Sequence, residues 1–109
     1  MTKTKLIQEL RDSNRKLRTT EIEAFFSTKS DEVNAKYFNL RTEIKAQIGE
    51  LENAELARIA DKLERLSPEL ENGIASLKDK IEKLNNSIAI LKAVSDVLGV
   101  TARVLAIFA

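Results

Sequence analysis

The sequence has no cysteine, histidine or tryptophan. Without cysteine, disulfide bridges and thiolate zinc sites are excluded. Histidine and cysteine also supply the commonest general base, the strongest nucleophile and the usual transition-metal ligands, so most of the side chains behind catalysis and metal binding are missing. We therefore expect a protein that is not an enzyme, with no catalytic residue, no cofactor and no metal site.

Helix-breaking residues are scarce, because the 109 residues include only three glycines and one proline. Hydrophobic residues make up 43% and charged residues 32% of the chain. This composition favours long helices over a sheet. The length suits one domain with a sizeable core. The sequence thus predicts an all-α fold, with residues 1–109 forming a single helical domain.

The clearest predicted boundary is Ser67–Pro68. Serine can cap the first amide groups of a helix, and proline suits the first helical position because its missing N–H costs nothing there. A turn this short makes the two flanking helices antiparallel. We expect a long, coiled-coil-like antiparallel hairpin with an N-terminal helix packed on its open end. This three-helix bundle has predicted helices at about 2–26, 31–66 and 68–108.

A second turn is predicted within residues 27–32, Ser-Thr-Lys-Ser-Asp-Glu. Clustered serine and threonine favour turns and caps, while Asp31 and Glu32 suit the first turn of a helix. Thr20 and Glu23 have capping-box spacing and mark a competing break. One unbroken helix from Thr2 to Leu66 remains a further alternative.

An apolar seam at heptad spacing runs through the C-terminal third of the chain, with isoleucine and leucine alternating between its two positions. Such a seam lines one face of a helix against a partner helix. Its members are Leu70, Ile74, Leu77, Ile81, Leu84, Ile88, Leu91, Ser95, Leu98, Ala102, Leu105 and Ala109.

The seam and its apolar surroundings suggest a function in protein–protein contact. More apolar surface lies on three sides of the last helix than one partner helix can cover. We expect a non-enzymatic helical-bundle scaffold or interaction module that associates with itself, as a homodimer, or with another helical protein. The candidate interaction surface has a C-terminal part and a part at the predicted hairpin tip: Val97, Val100, Val104, Ile107 and Phe108, and Leu66 and Leu70.

A membrane-active protein is the alternative hypothesis. Residues 88–109 are the most apolar stretch of the chain and have the length needed to span a bilayer. Lys92, Asp96 and Arg103 oppose insertion, so this segment would have to enter or lie on the bilayer upon oligomerisation. Since Met1–Lys5 leads into an amphipathic stretch and not an apolar one, no secretory signal is seen and a cytoplasmic location is expected.

Nucleic-acid binding is not expected. Arg11, Arg15, Lys16 and Arg18 form a basic cluster, but no base-stacking aromatic residue is interleaved with it. The net charge is only +1. Residues 43–71 carry eight acidic against four basic side chains, and they are predicted to lie beside residues 1–18, which carry six basic and two acidic. A salt-bridged face is therefore the favoured interpretation of the cluster.

Overall fold

The computed structural model describes residues 1–84 and 86–106, and these fold into helices connected by short turns. The predicted all-α class is confirmed. The helices are α1 (Lys3–Leu17), α2 (Thr20–Ser27), α3 (Asp31–Asn53), α4 (Leu56–Lys83) and α5 (Ser87–Leu105).

Both of the predicted breaks in the N-terminal third are present. The Thr19 hydroxyl accepts a hydrogen bond from the Ile22 amide and caps α2. The Ser30 hydroxyl accepts one from the Val33 amide and caps α3. The predicted helix at about 2–26 is therefore two helices, α1 and α2, and the unbroken helix from Thr2 to Leu66 is wrong.

The chain does not reverse at its proline. α3 ends at Asn53, and Pro68 lies inside α4, so the predicted helix ends near residues 66 and 68 and the hairpin turn between them are wrong. An interior proline removes one hydrogen bond to the carbonyl four residues earlier and costs about 3 kcal/mol. α4 tolerates this cost because Pro68 faces solvent, while buried leucines and isoleucines at about 1.5 to 3 kcal/mol each stabilise the helix on both sides of it. The buried side chains of α4 are Ile59, Leu63, Leu66, Leu70, Ile74, Leu77 and Ile81.

The reversal comes instead after Lys83. Leu84 has the left-handed conformation, with φ of 46°, and the Asn86 side chain caps α5 by accepting from the Ala89 amide at 3.0 Å. The predicted seam is interrupted here, since it assumed one continuous helix. Ile88 is 70% exposed, whereas Val94, between two seam positions, is buried.

The helix directions follow from contacts between neighbours. α5 runs antiparallel to α4, because Arg103 pairs with Glu69 and the Arg58 guanidinium donates to the Leu105 carbonyl. The Gln47 amide donates to the Leu98 carbonyl, and Ala54 lies near Leu105, so α3 runs parallel to α5.

α1 completes the bundle. It runs antiparallel to α3, with Lys3 near Ala54 and Leu17 near Tyr37. It runs parallel to α4, on which it also packs. Among the described residues α3 and α4 hardly touch, although they are consecutive in the chain. They lie diagonally opposite, and the described molecule measures 44 × 21 × 21 Å.

α2 closes the end of the bundle at which α3 begins. The Phe26 ring stacks on the Tyr37 ring with centroids 4.2 Å apart, and both residues are buried. The Tyr37 hydroxyl donates to the Leu17 carbonyl, at the last residue of α1. Burial raises the pKa of Tyr37 above its ordinary value of 10.0 despite the opposing charge of Arg41, so the hydroxyl remains a donor at neutral pH.

Candidate interaction surface

Most of the residues predicted to form the interaction surface lie in the core. Side chains that the bundle covers are reachable for a partner only if the helices separate. Leu70, Val97 and Val104 are buried, Leu66 is 9% exposed and Val100 is half-buried. Ile107 and Phe108 lie outside the described residues.

Among the residues that the structure describes, three large apolar side chains are well exposed: Phe38 at 48%, Leu56 at 58% and Ile88 at 70%. The Arg41 guanidinium lies 5.0 Å from the centre of the Phe38 ring and partly covers it. Ile88 lies in the first turn of α5, beside the connection from α4. Leu56 differs from both, because it borders an apolar hollow.

The hollow exists because α1 is much shorter than α4. With 15 and 28 residues, the two helices are about 22 and 42 Å long. The Met1 backbone nitrogen donates to the Ser67 hydroxyl at 2.7 Å, and Glu9 lies 2.7 Å from the Lys78 ammonium. Met1 thus lies beside Ser67, the Lys3 side chain reaches the connection between α3 and α4, and a hollow remains between the start of α1 and the first turns of α4.

The space left beside those turns, which we call the notch, has a volume of about 720 Å³. This lies within the range of about 300 to 1,000 Å³ that is usual for binding pockets. Its apolar lining comes from both helices: Met1, Ile7, Leu56, Ala60 and Leu63. Its polar lining is formed by Thr2, Lys3, Thr4, Glu64 and Ser67.

Ion pairs and hydrogen bonds fix the walls of the notch. The Lys3 ammonium donates to the carbonyls of Glu52 and Ala54, at 3.2 and 2.7 Å, and holds the start of α1 against the end of α3. This agrees with the expected approach of the basic N-terminal segment to the acidic one. Glu9, 8% exposed, joins α1 to α4 through Lys78 and also pairs with Lys5 at 3.2 Å. The hydrogen bond from Lys78 holds the pKa of Glu9 below its ordinary value of 4.5, against the opposing effect of burial.

Glu55 stands at the tip of α4, immediately before its first residue. It occupies the N-cap position but its side chain makes no capping hydrogen bond, and it is exposed. Within the described residues its carboxylate forms no ion pair with Lys, Arg or the N-terminus. An exposed carboxylate thus stands beside the exposed Leu56.

The basic cluster of α1 is largely engaged with nearby polar side chains. Arg11 pairs with Glu52 at 2.6 Å, across to α3, and Arg15 pairs with Asp12 on its own helix. The Arg18 guanidinium donates to the Asn14 side chain.

The notch was missed in the sequence because residues 31–66 were interpreted as one helix. In that interpretation Leu56 was an interior residue of the predicted helix, not the first residue of a new one. The signal was nevertheless there: Leu56, Ala60, Leu63 and Ser67 recur at intervals of four, three and four residues, which is one flank of a helix. Leu63 packs into the core, whereas Leu56 and Ala60 on the same flank are left exposed.

Comparisons with known proteins found no match among family models, curated proteins or solved structures. None of the helices in the described part of the chain has the length and apolar character required to cross a membrane.

Proposed function

We propose that this protein is a non-enzymatic interaction module whose notch binds a helix of another polypeptide chain. The observation that carries the proposal is the pair of exposed apolar side chains, Leu56 and Ala60, that border the notch on the first turns of α4. A well-exposed leucine beside an apolar hollow is costly in water, and burying it against a partner gains about 25 cal/mol per Å² of apolar surface.

The shape of the notch favours a helix as the occupant. The notch is an open hollow between the start of α1 and the first turns of α4, and the α4 residues that line it include Leu56, Ala60, Leu63 and Ser67, which follow 4–3–4 spacing. Amphipathic helices commonly bind in such grooves through apolar side chains spaced three and four residues apart.

The polar lining supports an interaction with an amphipathic helix and not with a wholly apolar one. Lys3 and Glu64 lie on opposite walls, one on α1 and one on α4. They provide one charge of each sign for the rim of an interface, where charge contributes to register and specificity. Membrane activity stays a prediction, and the described residues contain no observation that favours it over the notch.

Site-specific photo-crosslinking in the cells that make the protein tests this proposal. A benzophenone amino acid replaces Leu56 in the notch and, as the matched control, Asn72, which is exposed on the same helix away from the notch. We expect irradiation to give a discrete adduct of higher mass from position 56 and not from position 72. Mass spectrometry of the adduct then identifies the bound chain.

Two results would contradict the proposal. The first is the absence of any adduct from position 56 in a folded protein, which circular dichroism verifies. The second is the same set of adducts from both positions, because this would reflect random collisions with the surface and not a specific site.

A further inference from the structure

We infer that a second site, in a groove between α1 and α3, binds a small soluble molecule through a doubly charged phosphate group. The groove has a volume of about 550 Å³. Its polar lining comes from both helices and from Arg18, which directly follows α1: Arg11, Asn14, Arg18, Lys45 and Glu52. None of these residues lines the notch, so the inference does not depend on the proposed function.

Equal steps along the antiparallel helices α1 and α3 bring two cations to the same part of the groove. Arg11 and Glu52 meet across it, with a guanidinium nitrogen and a carboxylate oxygen 2.6 Å apart. Arg18 follows Arg11 by seven residues and Lys45 precedes Glu52 by seven, which is about two turns further along the same flanks. Lys45 is thus placed relative to Arg18 as Glu52 is relative to Arg11, but with a like charge in place of an opposite one.

No carboxylate of the described residues neutralises these two cations. The Arg18 Nε donates to the Asn14 side-chain oxygen at 3.1 Å, but that amide is neutral. Neither Arg18 nor Lys45 forms an ion pair within the described part of the chain. On α3 the positions three and four residues from Lys45 carry arginine, threonine, isoleucine and glycine, none of which is acidic. The groove therefore keeps two uncompensated positive charges.

A phosphate monoester matches these charges and donors. At neutral pH it carries about −1.5 to −2 charge and three strong acceptor oxygens. The hydrogen bond from Nε orients the Arg18 guanidinium and leaves its two terminal nitrogens without a partner among the described residues, in the fork geometry that suits phosphate oxygens. Gly49 leaves room for the ligand, because no atom of another helix lies within 4 Å of the position that a Cβ would take there.

The surroundings of the groove favour a compact ligand over a polyanion. Glu52 closes one end of the groove, and Glu43 and Glu50 are exposed on the same helix. These carboxylates repel an extended anionic surface such as a nucleic acid or a bilayer, whereas a single phosphate group needs only the two free cations. Because the cations are exposed, we expect a dissociation constant of about 0.1 to 1 mM that rises with salt concentration.

Titrations followed by NMR correlation spectra of the backbone amides test the ligand class. The probes are methyl phosphate, a doubly charged monoester, and dimethyl phosphate, a singly charged diester, at constant ionic strength and about pH 7.5, where the monoester is a dianion. We expect saturable shifts at Arg18, Lys45 and Gly49 with methyl phosphate, and binding of dimethyl phosphate at least about fivefold weaker. Phosphatidylcholine vesicles with about 10% phosphatidic acid, which presents the monoester on a lipid, should not bind.

Matched variants test the groove itself. Arg18→Gln and Lys45→Gln should each weaken the binding of methyl phosphate at least about fivefold. Gly49→Leu fills the groove without changing the charge and should weaken binding as much. The controls are Lys36→Gln, which removes an exposed charge from the opposite side of α3, and Gly99→Leu at an exposed helical glycine of α5; both should leave the affinity unchanged. Circular dichroism verifies that each variant is folded.

Three results would overturn the inference. The first is the absence of saturable shifts at the groove with methyl phosphate up to about 20 mM. The second is equal binding of the monoester and the diester. The third is an equal loss of affinity in Lys36→Gln and Lys45→Gln, since this would reflect a general attraction to positive charge. Vesicle binding that depends on Lys45 would overturn the soluble ligand and assign the phosphate group to a lipid.

Discussion

At the scale of single residues, Glu9 links α1 to α4 by an ion pair with Lys78. It is nearly buried, and two ammonium groups, from Lys5 and Lys78, lie within 3.2 Å of its carboxylate. A buried carboxylate is tolerated only where such partners replace its water. The charged form of this carboxylate therefore stabilises the packing of α1 beside α4.

The charge of Glu9 gives a pH-dependent contribution to stability. Its pKa is lowered in the folded protein, so the contribution is present above the ordinary value of 4.5 and is lost as the pH falls through the lowered pKa. We expect Glu9→Gln to reduce the free energy of unfolding at pH 7 by about 1 to 3 kcal/mol. The difference between the two proteins should shrink below pH 4.5.

Urea unfolding at a series of pH values measures this effect, with Glu82→Gln as the control, since Glu82 is exposed and forms no ion pair with Lys or Arg among the described residues. A difference between Glu9→Gln and the natural sequence that stays constant from pH 7 to pH 3 would disprove the electrostatic role.

At the scale of elements, the capping signals near Thr19 and Ser30 were confirmed, and the signal at Ser67–Pro68 was wrong. Ser30 caps α3 as expected, and Thr19 caps α2 at the break that Thr20 and Glu23 had marked as an alternative. These signals depend on a few neighbouring atoms, which the sequence specifies. Whether Pro68 starts a helix or lies within one depends on how much apolar surface the helix buries on each side of it, and that is a property of the whole bundle.

Pro68 in the interior of α4 should therefore limit stability. We expect Pro68→Ala to raise the free energy of unfolding by about 1 to 3 kcal/mol, since alanine restores a hydrogen bond to the Glu64 carbonyl and removes a steric clash. Equilibrium urea unfolding gives the value. Ser76→Ala, also exposed on α4, provides the ordinary gain in helix propensity, about 0.5 kcal/mol. A loss of stability in Pro68→Ala would instead favour a chain reversal at this residue.

At the scale of the whole molecule, the arrangement of the helices was beyond what the sequence could specify. The heptad seam suggested one continuous helix from residue 68 onward, although Asn85, Asn86 and Ser87 are typical turn and cap residues. Apolar spacing predicts that a face is buried but not which helix buries it. Hence the core positions Leu70, Ile74, Leu77 and Ile81 were predicted, while their neighbours were not.

Spin-label distances distinguish the observed arrangement from the hairpin at Pro68. Asn53 ends α3, three residues before α4 begins, and Glu82 lies at the far end of α4, so labels on cysteines introduced there should be about 40 Å apart. A hairpin at the proline would bring them side by side, within about 15 Å. The chain has no cysteine of its own, so only the introduced sites carry a label. Measurement on doubly labelled protein diluted with unlabelled protein restricts the signal to one molecule.

The candidate site also depends on how the helices are arranged in the whole molecule. Leu56 and Ala60 have an ordinary apolar spacing, and only the relative lengths and positions of α1 and α4 expose them. The most apolar stretch of the sequence suggested an interface, but the protein uses α5, which lies in that stretch, as a core helix. Core and interface have similar composition, so composition alone does not separate them.

The diagonal placement of α3 and α4 has a kinetic consequence. Two helices joined by a short connection ordinarily pack against each other early in folding, because little chain entropy is lost in closing a short loop. Here α3 and α4 hardly pack on each other in the described structure, so an early contact between them is not native. α3 packs instead on α1 and on α5, and all of α4 lies between α3 and α5 in the sequence. The contact order is accordingly higher than in a bundle in which each helix packs on the next, and the chain should fold more slowly than its helix content alone would indicate.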